Sequence, residues 1–267
     1  MKKIIALLLA VCLTFALCAC GTSSGTVEST SSPSASSSTA AIKTVSAGEL
    51  HMATNAAFPP YESVSDDGGF EGIDVEVATA IAEKLGMTLV VDDMDFSSVI
   101  TSVQTGKEDI AMAGLTVTDE RKQNIDFTDP YATAVQVIIV PENSDIQSVD
   151  DLEGKMIGVQ EATTGYSYCS DDYGEDHVTA YTNGATAVQA LISGKVDCVV
   201  IDQEPAKAYV ASNNGLKILD TAYAEEQYAI GVSKDNPELL KAVNDALNEL
   251  ISDGTVQSIV DKYIKAE

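Results

Sequence analysis

Basic residues are scarce in this chain. It has 15 Lys and Arg against 41 Asp and Glu, a formal charge of −26. A surface of that sign repels nucleic acid and anionic lipid headgroups, so neither is expected as a partner. Histidine is scarcer still. Only His51 and His177 are present, neither among cysteines, so no metal site is expected. There is no C-x-x-C pair, no Ser-His-Asp set and no nucleophile elbow, which leaves no catalytic residue and no cofactor to name. Beyond the first twenty residues no apolar run approaches the ~20 residues that cross a bilayer as a helix. What the chain does have is a 45% hydrophobic content, enough to build a full core in one large domain or two modest lobes.

Lys2 and Lys3 precede an apolar run from Ile4 to Leu17, the pattern of a secretory signal. The run ends Leu17-Cys18-Ala19-Cys20-Gly21, which resembles the bacterial lipobox, with Cys20 at the position that carries lipid. Residues 1–19 therefore read as a signal peptide and Cys20 as a lipidation site. Two or more acyl chains on one residue hold a protein stably to a membrane. Residues 21–40 contain nine Ser and four Thr, a composition that cannot bury a core. Residues 20–45 read as an anchor and tether with a reach of roughly 25–30 Å. The location implied is the outer, extracytoplasmic face of the cell membrane. Cys169 and Cys198 remain in the soluble part. Outside the cell they could pair, if their Cα atoms lie close enough.

From residue 49 onward strand and helix patterns alternate. "LHMAT" (50–54), "MTLVVD" (87–92) and "DIAMAG" (109–114) read as strands, separated by helices over 72–86 and 96–106. The order repeats with strands at 155–160, 177–182 and 196–202 and helices at 164–172, 186–194 and 204–215. "QYAIGV" (227–232) reads as one further strand, before two closing helices at 236–254 and 255–265. Such alternation implies parallel pairing in an α/β fold. "VQTGKEDIAMAG" (103–114) and "LISGKVDCVVID" (191–202) share the frame Gly-Lys-x-Asp-strand, as two lobes built on one plan would. Ligands of such sheets sit at the carboxyl ends of strands. Gly114, followed by Thr116 and Arg121, and Asp202 fall at equivalent ends, a cation on one lobe and an anion on the other.

"AGLTVTDERK" (113–122) holds a local contradiction. Thr118 stands where it would cap a helix, and three residues on, where Glu or Gln would suit the free N–H groups, stands Arg121.

"ATNAAFPPYE" (53–62), "GFEGIDVEVATAIAEKLG" (69–86), "MDFSSVITSVQTGKEDIAMAGLTVTDERK" (94–122), "IDFTDPY" (125–131) and "IGVQEATTG" (157–165) follow one another in order. In that run, which extends over nearly all of 45–265, the chain resembles the solute-binding proteins of amino-acid importers of the ATP-binding-cassette class. The resemblance implies a two-lobed, type II periplasmic-binding-protein-like α/β fold, each lobe a mainly parallel sheet flanked by helices, joined by a double-crossover hinge. Lobe 1 would hold 46–132 and 231–267, lobe 2 would hold 136–226, and the hinge 133–135 and 227–230. It implies a monomer that passes a polar L-amino acid to a membrane permease.

The same resemblance assigns roles. Arg121 would clamp the ligand's α-carboxylate, a planar guanidinium offering two parallel donors. The backbone near Gly114 and Thr116 would add donors, with Thr163 or Thr164 on the same carboxylate from lobe 2. Asp202 would receive the α-ammonium, Phe58 and Phe96 would wall the side chain, and Asn55 and Gln160 would touch its polar end. Without the resemblance, Arg121 could be a surface residue, Asp202 and the threonines helix caps, and the phenylalanines core packing. Asn55 in place of the Asp common in binders of cationic amino acids speaks against lysine or arginine, whereas "GVQEATTG" resembles the arginine-binding branch. Glutamine, arginine and cystine stay open. An extracytoplasmic dehydratase acting on cyclohexadienyl acids is similar in sequence, and a second carboxylate in the cleft would favour it. A module presenting ligand to a sensory receptor is the other alternative.

Overall fold

The computed structural model describes residues 42–265. The signal segment, the lipidation site Cys20 and the tether as far as residue 41 lie outside the described residues. The chain opens with β1 (Glu49–Thr54) and a small antiparallel ribbon of β2 (Ala57–Phe58), β3 (Glu62–Val64) and β4 (Phe70–Glu71). There follow α1 (Ile73–Lys84), β5 (Thr88–Asp93), α2 (Phe96–Gln104), β6 (Ile110–Ala111), the single turn α3 (Arg121–Asn124) and β7 (Ile125–Phe127). The long strand β8 (Ala132–Pro141) carries the chain into a second sheet. There it forms β9 (Ile157–Gln160), α4 (Thr164–Tyr173), β10 (Val178–Tyr181), α5 (Gly184–Ile192), β11 (Cys198–Asp202), α6 (Gln203–Ser212) and β12 (Leu216–Ile218). β13 (Ala224–Tyr228) leads back to β14 (Gly231–Ser233), α7 (Pro237–Ser252) and α8 (Thr255–Tyr263).

The first sheet has the order β5-β1-β6-β14-β7, the second β10-β9-β11-β8-β12, with β13 also paired to β8. β5, β1 and β6 run parallel in one, and β10, β9 and β11 in the other. The central strands β8 and β11 of the second sheet are covered on both faces, which explains their unbroken apolar runs. Ile138, Ile139, Val140, Val199, Val200 and Ile201 are all buried. The fold is thus two-lobed, as the resemblance implied.

The helices follow their sequence signals. α7 begins with Pro237 in its first turn and with Asn236 accepting a hydrogen bond from the Leu239 N–H at 3.3 Å. It buries Leu239, Val243, Ala246, Leu247 and Leu250 against the first lobe, each large side chain contributing roughly 1.5–3 kcal/mol. Ile251, next along the helix, is 41% exposed. Gly72, just before α1, has φ 132°, and a Cβ there would stand 2.1 Å from the Tyr61 carbonyl oxygen. Only glycine fits that approach of α1 to the ribbon.

One expectation needs correcting. "QYAIGV" is not one strand. β13 ends at Tyr228 on the second sheet, and β14 starts at Gly231 on the first. Between them the Ala229 N–H donates to Leu115 O and the Ile230 N–H to Thr128 Oγ1, so the chain changes sheets with its backbone satisfied. β8 and β13 are antiparallel neighbours where they cross, with Thr133 opposite Gln227 and Ala134 opposite Glu226. Cys169 and Cys198 are free thiols, both fully buried in the second lobe's core, and burial pushes the Cys169 thiol up to about 12. Among the described residues no helix is long and apolar enough to cross a membrane.

Candidate ligand-binding cleft

The carboxyl ends of the parallel strands in both sheets face one cleft, drawn nearly closed by the side chains that line it. Asn55, Phe58, Phe96, Gly114, Thr116 and Arg121 line it from the first lobe, and Gln160, Thr163, Thr164 and Asp202 from the second. All ten residues picked out in the sequence are therefore brought to one place. Ala113, Val200 and Ile201 fill the wall between them, with Glu62 and Gln136, which the sequence reading passed over.

Arg121 is only 8% exposed. Thr118 does act as the cap, its Oγ1 accepting from the Arg121 N–H at 3.1 Å. The turn it starts throws the guanidinium into the cleft rather than to solvent. Nη1 donates to Thr116 O at 2.8 Å and Nη2 to Ala162 O at 3.1 Å, while the group lies 5.4 Å from the centre of the Phe96 ring. Burial lowers its pKa, opposed first by the charge of Glu226 and then by that of Asp202. A guanidinium carries five N–H donors, and the two carbonyls leave others free to meet an anion.

Asp202 is the last residue of β11 and stands at the start of α6, yet its carboxylate makes no cap hydrogen bond to that helix. It accepts instead from the Tyr228 hydroxyl and from Gln136 Nε2 at 2.8 Å. The register explains this, since Gln136 on β8 is the cross-strand partner of Asp202. The same Nε2 donates to Glu226 Oε2 at 3.0 Å, which also accepts from Thr116 Oγ1 at 3.1 Å. Glu226 Oε1 has no hydrogen-bond partner among the described residues. Burial pushes the Asp202 carboxyl up to about 7, the charge of Glu226 adding to it.

Glu62 is fully buried; among the described residues neither carboxyl oxygen accepts from a nitrogen or hydroxyl, and its carboxyl shares a hydrogen bond with that of Asp74. Burial, then the neighbouring Asp74, holds it protonated well above the usual carboxylate range. Asp74 is raised to about 6 by burial, against hydrogen bonds from the Gly114 N–H at 2.8 Å and the Tyr131 hydroxyl at 2.7 Å. The Gly114 N–H is thus already used inside the protein. The role of Gly114 here is spatial: φ is +53°, and a Cβ would come within 2.7 Å of the Phe58 ring.

Other candidates are also engaged. The Thr163 Oγ1 donates to Gln160 O at 2.7 Å and caps α4 by accepting from the Tyr166 N–H. Gln160 Nε2 donates to Asn55 Oδ1 at 3.0 Å, and Asn55 Nδ2 to Met94 O at 2.8 Å, so these two amides join the lobes across the cleft mouth. The Tyr209 hydroxyl donates to Ala57 O at 2.5 Å, a further tie between lobes. Of the residues missed, Gln136 carried a visible signal: it is the polar interruption in the apolar strand "TAVQVIIVP". Glu62 closes the motif "ATNAAFPPYE" but looks like a surface acid.

Residues 50–266 match the bacterial extracellular solute-binding proteins, family 3. The chain is 34% identical to the arginine-binding extracellular protein ArtP of Bacillus subtilis, covering 100% of both chains. It is also 34% identical to a probable histidine-binding protein of Neisseria gonorrhoeae, covering 100% of this chain and 97% of that one. A solved structure of an ancestral arginine-binding protein bound to glutamine superposes with a TM-score of 0.78 at 40% identity, over 82% of this chain and 99% of the other. These relatives are named as binding proteins, not enzymes. Extent of match, fold and a two-sided cleft agree, and the chain belongs to the bacterial extracellular solute-binding proteins, family 3.

Proposed function

We propose that the cleft holds one polar L-amino acid, arginine before glutamine, and that the protein hands it to the permease of an ABC importer. The observation that carries this is the placing of Arg121 and Asp202, from opposite lobes, on the same buried cleft. The α-carboxylate would sit on the free donors of Arg121 and at the N-terminus of α4, where the helix dipole favours an anion. The α-ammonium would take its charge partner from Asp202. Phe58 and Phe96 would flank the side chain. Burying either charge of the zwitterion alone is costly, so closing the lobes is favourable only when both are matched. Residues 133–135 and 227–230, on and after the paired crossing strands, would act as the hinge.

The preference for arginine rests on Glu62. The Glu62 carboxyl shares a hydrogen bond with Asp74 and has no nitrogen donor, and a guanidinium would ionise it and supply two parallel donors. ArtP is named for arginine, and the ancestral relative was solved with glutamine, so both side chains are chemically reasonable here. Titration calorimetry of arginine, glutamine and cystine tests the order. Glu62→Gln is expected to weaken arginine about 30-fold while changing glutamine by less than about threefold, since only arginine loses a charge partner. Equal losses would remove Glu62 from the specificity argument. The same carboxyl is the proton source that a cyclohexadienyl-type dehydratase would need, but the relatives are named as binding proteins.

Cys20 would carry lipid at the outer membrane face, with the Ser/Thr-rich segment as tether. Cys20→Ser is expected to move the protein from the membrane fraction to the medium or the soluble fraction. Retention in the membrane fraction would refute the anchor.

A further inference from the structure

Strands β1 and β5 of the first sheet carry a second polar cluster, none of whose residues lines the cleft. Glu49 and His51 stand on β1 and Asp92 on β5, all on one face of the sheet, because His51 pairs with Val90 and Asp92 lies two residues further along. Glu108 comes from the turn between α2 and β6. That turn is fastened to β1 by Asp109, whose carboxylate accepts from the His51 N–H at 2.9 Å and the Val45 N–H at 2.8 Å. Glu108 is thereby laid over the imidazole.

His51 Nδ1 lies 3.1 Å from Asp92 Oδ2 and 3.8 Å from Glu108 Oε2. A single N–H on Nδ1 can serve Asp92 but leaves the second oxygen unserved, and Glu108 Oε2 is buried with no hydrogen-bond partner. The Glu108 side chain is only 13% exposed. No Lys or Arg forms an ion pair with any of the four side chains among the described residues. Burial first, and then the charge of Asp92, raises the Glu108 carboxyl to about 7. The cluster thus gathers two carboxyl groups and one ring nitrogen about a common point, and the surrounding carboxylates raise the His51 pKa against the cost of burial.

We propose that His51 Nδ1, Asp92 and Glu108 bind one divalent transition-metal ion of the zinc class. Three groups offering one ligand atom each, all within 4.8 Å of one another, form the set. Tetrahedral zinc with bonds near 2.0–2.2 Å separates its ligand atoms by about 3.3–3.6 Å. The two distances from Nδ1 bracket that figure. The other ring nitrogen supports the assignment. Nε2 lies 3.2 Å from Glu49 Oε2, so Glu49 can take the Nε2–H and leave the lone pair on Nδ1. Metal-binding histidines are commonly held by such a carboxylate on the far nitrogen. Water would fill a fourth position. The ion would pin β1, β5 and the turn before β6. Nothing in the sequence spacing brings residues 49, 51, 92 and 108 together, and a search for histidines among cysteines misses them.

The test uses the full chain, stripped with chelator and titrated with zinc chloride by calorimetry and thermal unfolding. One zinc per chain is expected, with the unfolding midpoint raised by about 5 °C or more when zinc exceeds its Kd 100-fold. His51→Ala and Glu108→Gln should each weaken zinc about 100-fold, and His177→Ala should not. Arginine affinity should be the same in Glu108→Gln as in the unaltered protein. Glu108→Gln is nearly isosteric, so it serves if His51→Ala fails to fold. Absence of one-site binding by the unaltered chain, or zinc affinity unchanged in Glu108→Gln, overturns the proposal.

Discussion

Arg121→Ala is expected to weaken arginine binding about 1,000-fold, the effect of removing one partner from a buried, hydrogen-bonded charge pair. The side chain is enclosed, held by the Thr116 and Ala162 carbonyls and stacked on Phe96, so its direction is fixed before ligand arrives. Pre-set donors cost little ordering when they bind. Arg121→Lys should recover less than a tenth of the loss, because an ammonium cannot make the paired contact. The fold should survive, since Arg121 is not part of the apolar clusters around it and circular dichroism of the variant should be unchanged. Agmatine, which is arginine without its carboxylate, separates the role from a general one. The substitution should cost arginine about 100-fold more than it costs agmatine. Equal costs would place the guanidinium on some other part of the ligand.

The second large effect is on pH. With its carboxyl raised to about 7, Asp202 is largely protonated in the empty site below neutrality, yet it must be ionised to receive an ammonium group. Binding therefore releases a proton, and glutamine affinity should fall about tenfold for each pH unit below 7, reaching about 100-fold at pH 5. Arginine should fall more steeply, because Glu62 must give up a proton as well. Asp202→Asn should weaken glutamine at least about 100-fold at pH 8 and abolish the slope. The empty protein runs the other way. A carboxyl raised in the folded state binds its proton more tightly there than in the unfolded chain. Its stabilisation is complete below about pH 4 and is lost as pH rises through 7. Asp74, raised to about 6, acts in the same sense. The unliganded midpoint should thus fall between pH 5 and 8 while the increment due to ligand grows. Calorimetry in buffers of different ionisation enthalpy counts the protons directly, and zero release would exclude Asp202 as the ammonium partner.

Much of this was legible in the sequence because the informative residues lie at strand ends in ordered motifs. Thr118 and Arg121 illustrate it: the cap and its rule-breaking third residue are plain in the sequence, although only the family resemblance assigned that guanidinium to a ligand's carboxylate. Asp202 was ambiguous, since an acid between strand and helix reads equally as a cap. Only register resolves it, by setting Gln136 opposite and Tyr228 within reach. Glu62, Asp74 and Glu226 were invisible for the converse reason. They lie in a ribbon, a helix and a crossing strand where acids are ordinarily solvated, and their burial arises from contacts between segments distant in the chain. The break at Ala229 and Ile230 was hidden because an apolar run has the same pattern whether it stays in one sheet or passes to another.

The most direct measurement is a crystal structure of the protein with L-arginine bound. The account requires the ligand's α-carboxylate on the Arg121 guanidinium and its α-ammonium on Asp202, each at about 2.7–3.0 Å, with the side chain running between Phe58 and Phe96 toward Glu62. A ligand seated with its ends reversed, or held by one lobe with Asp202 left to Tyr228 and Gln136 alone, would contradict it.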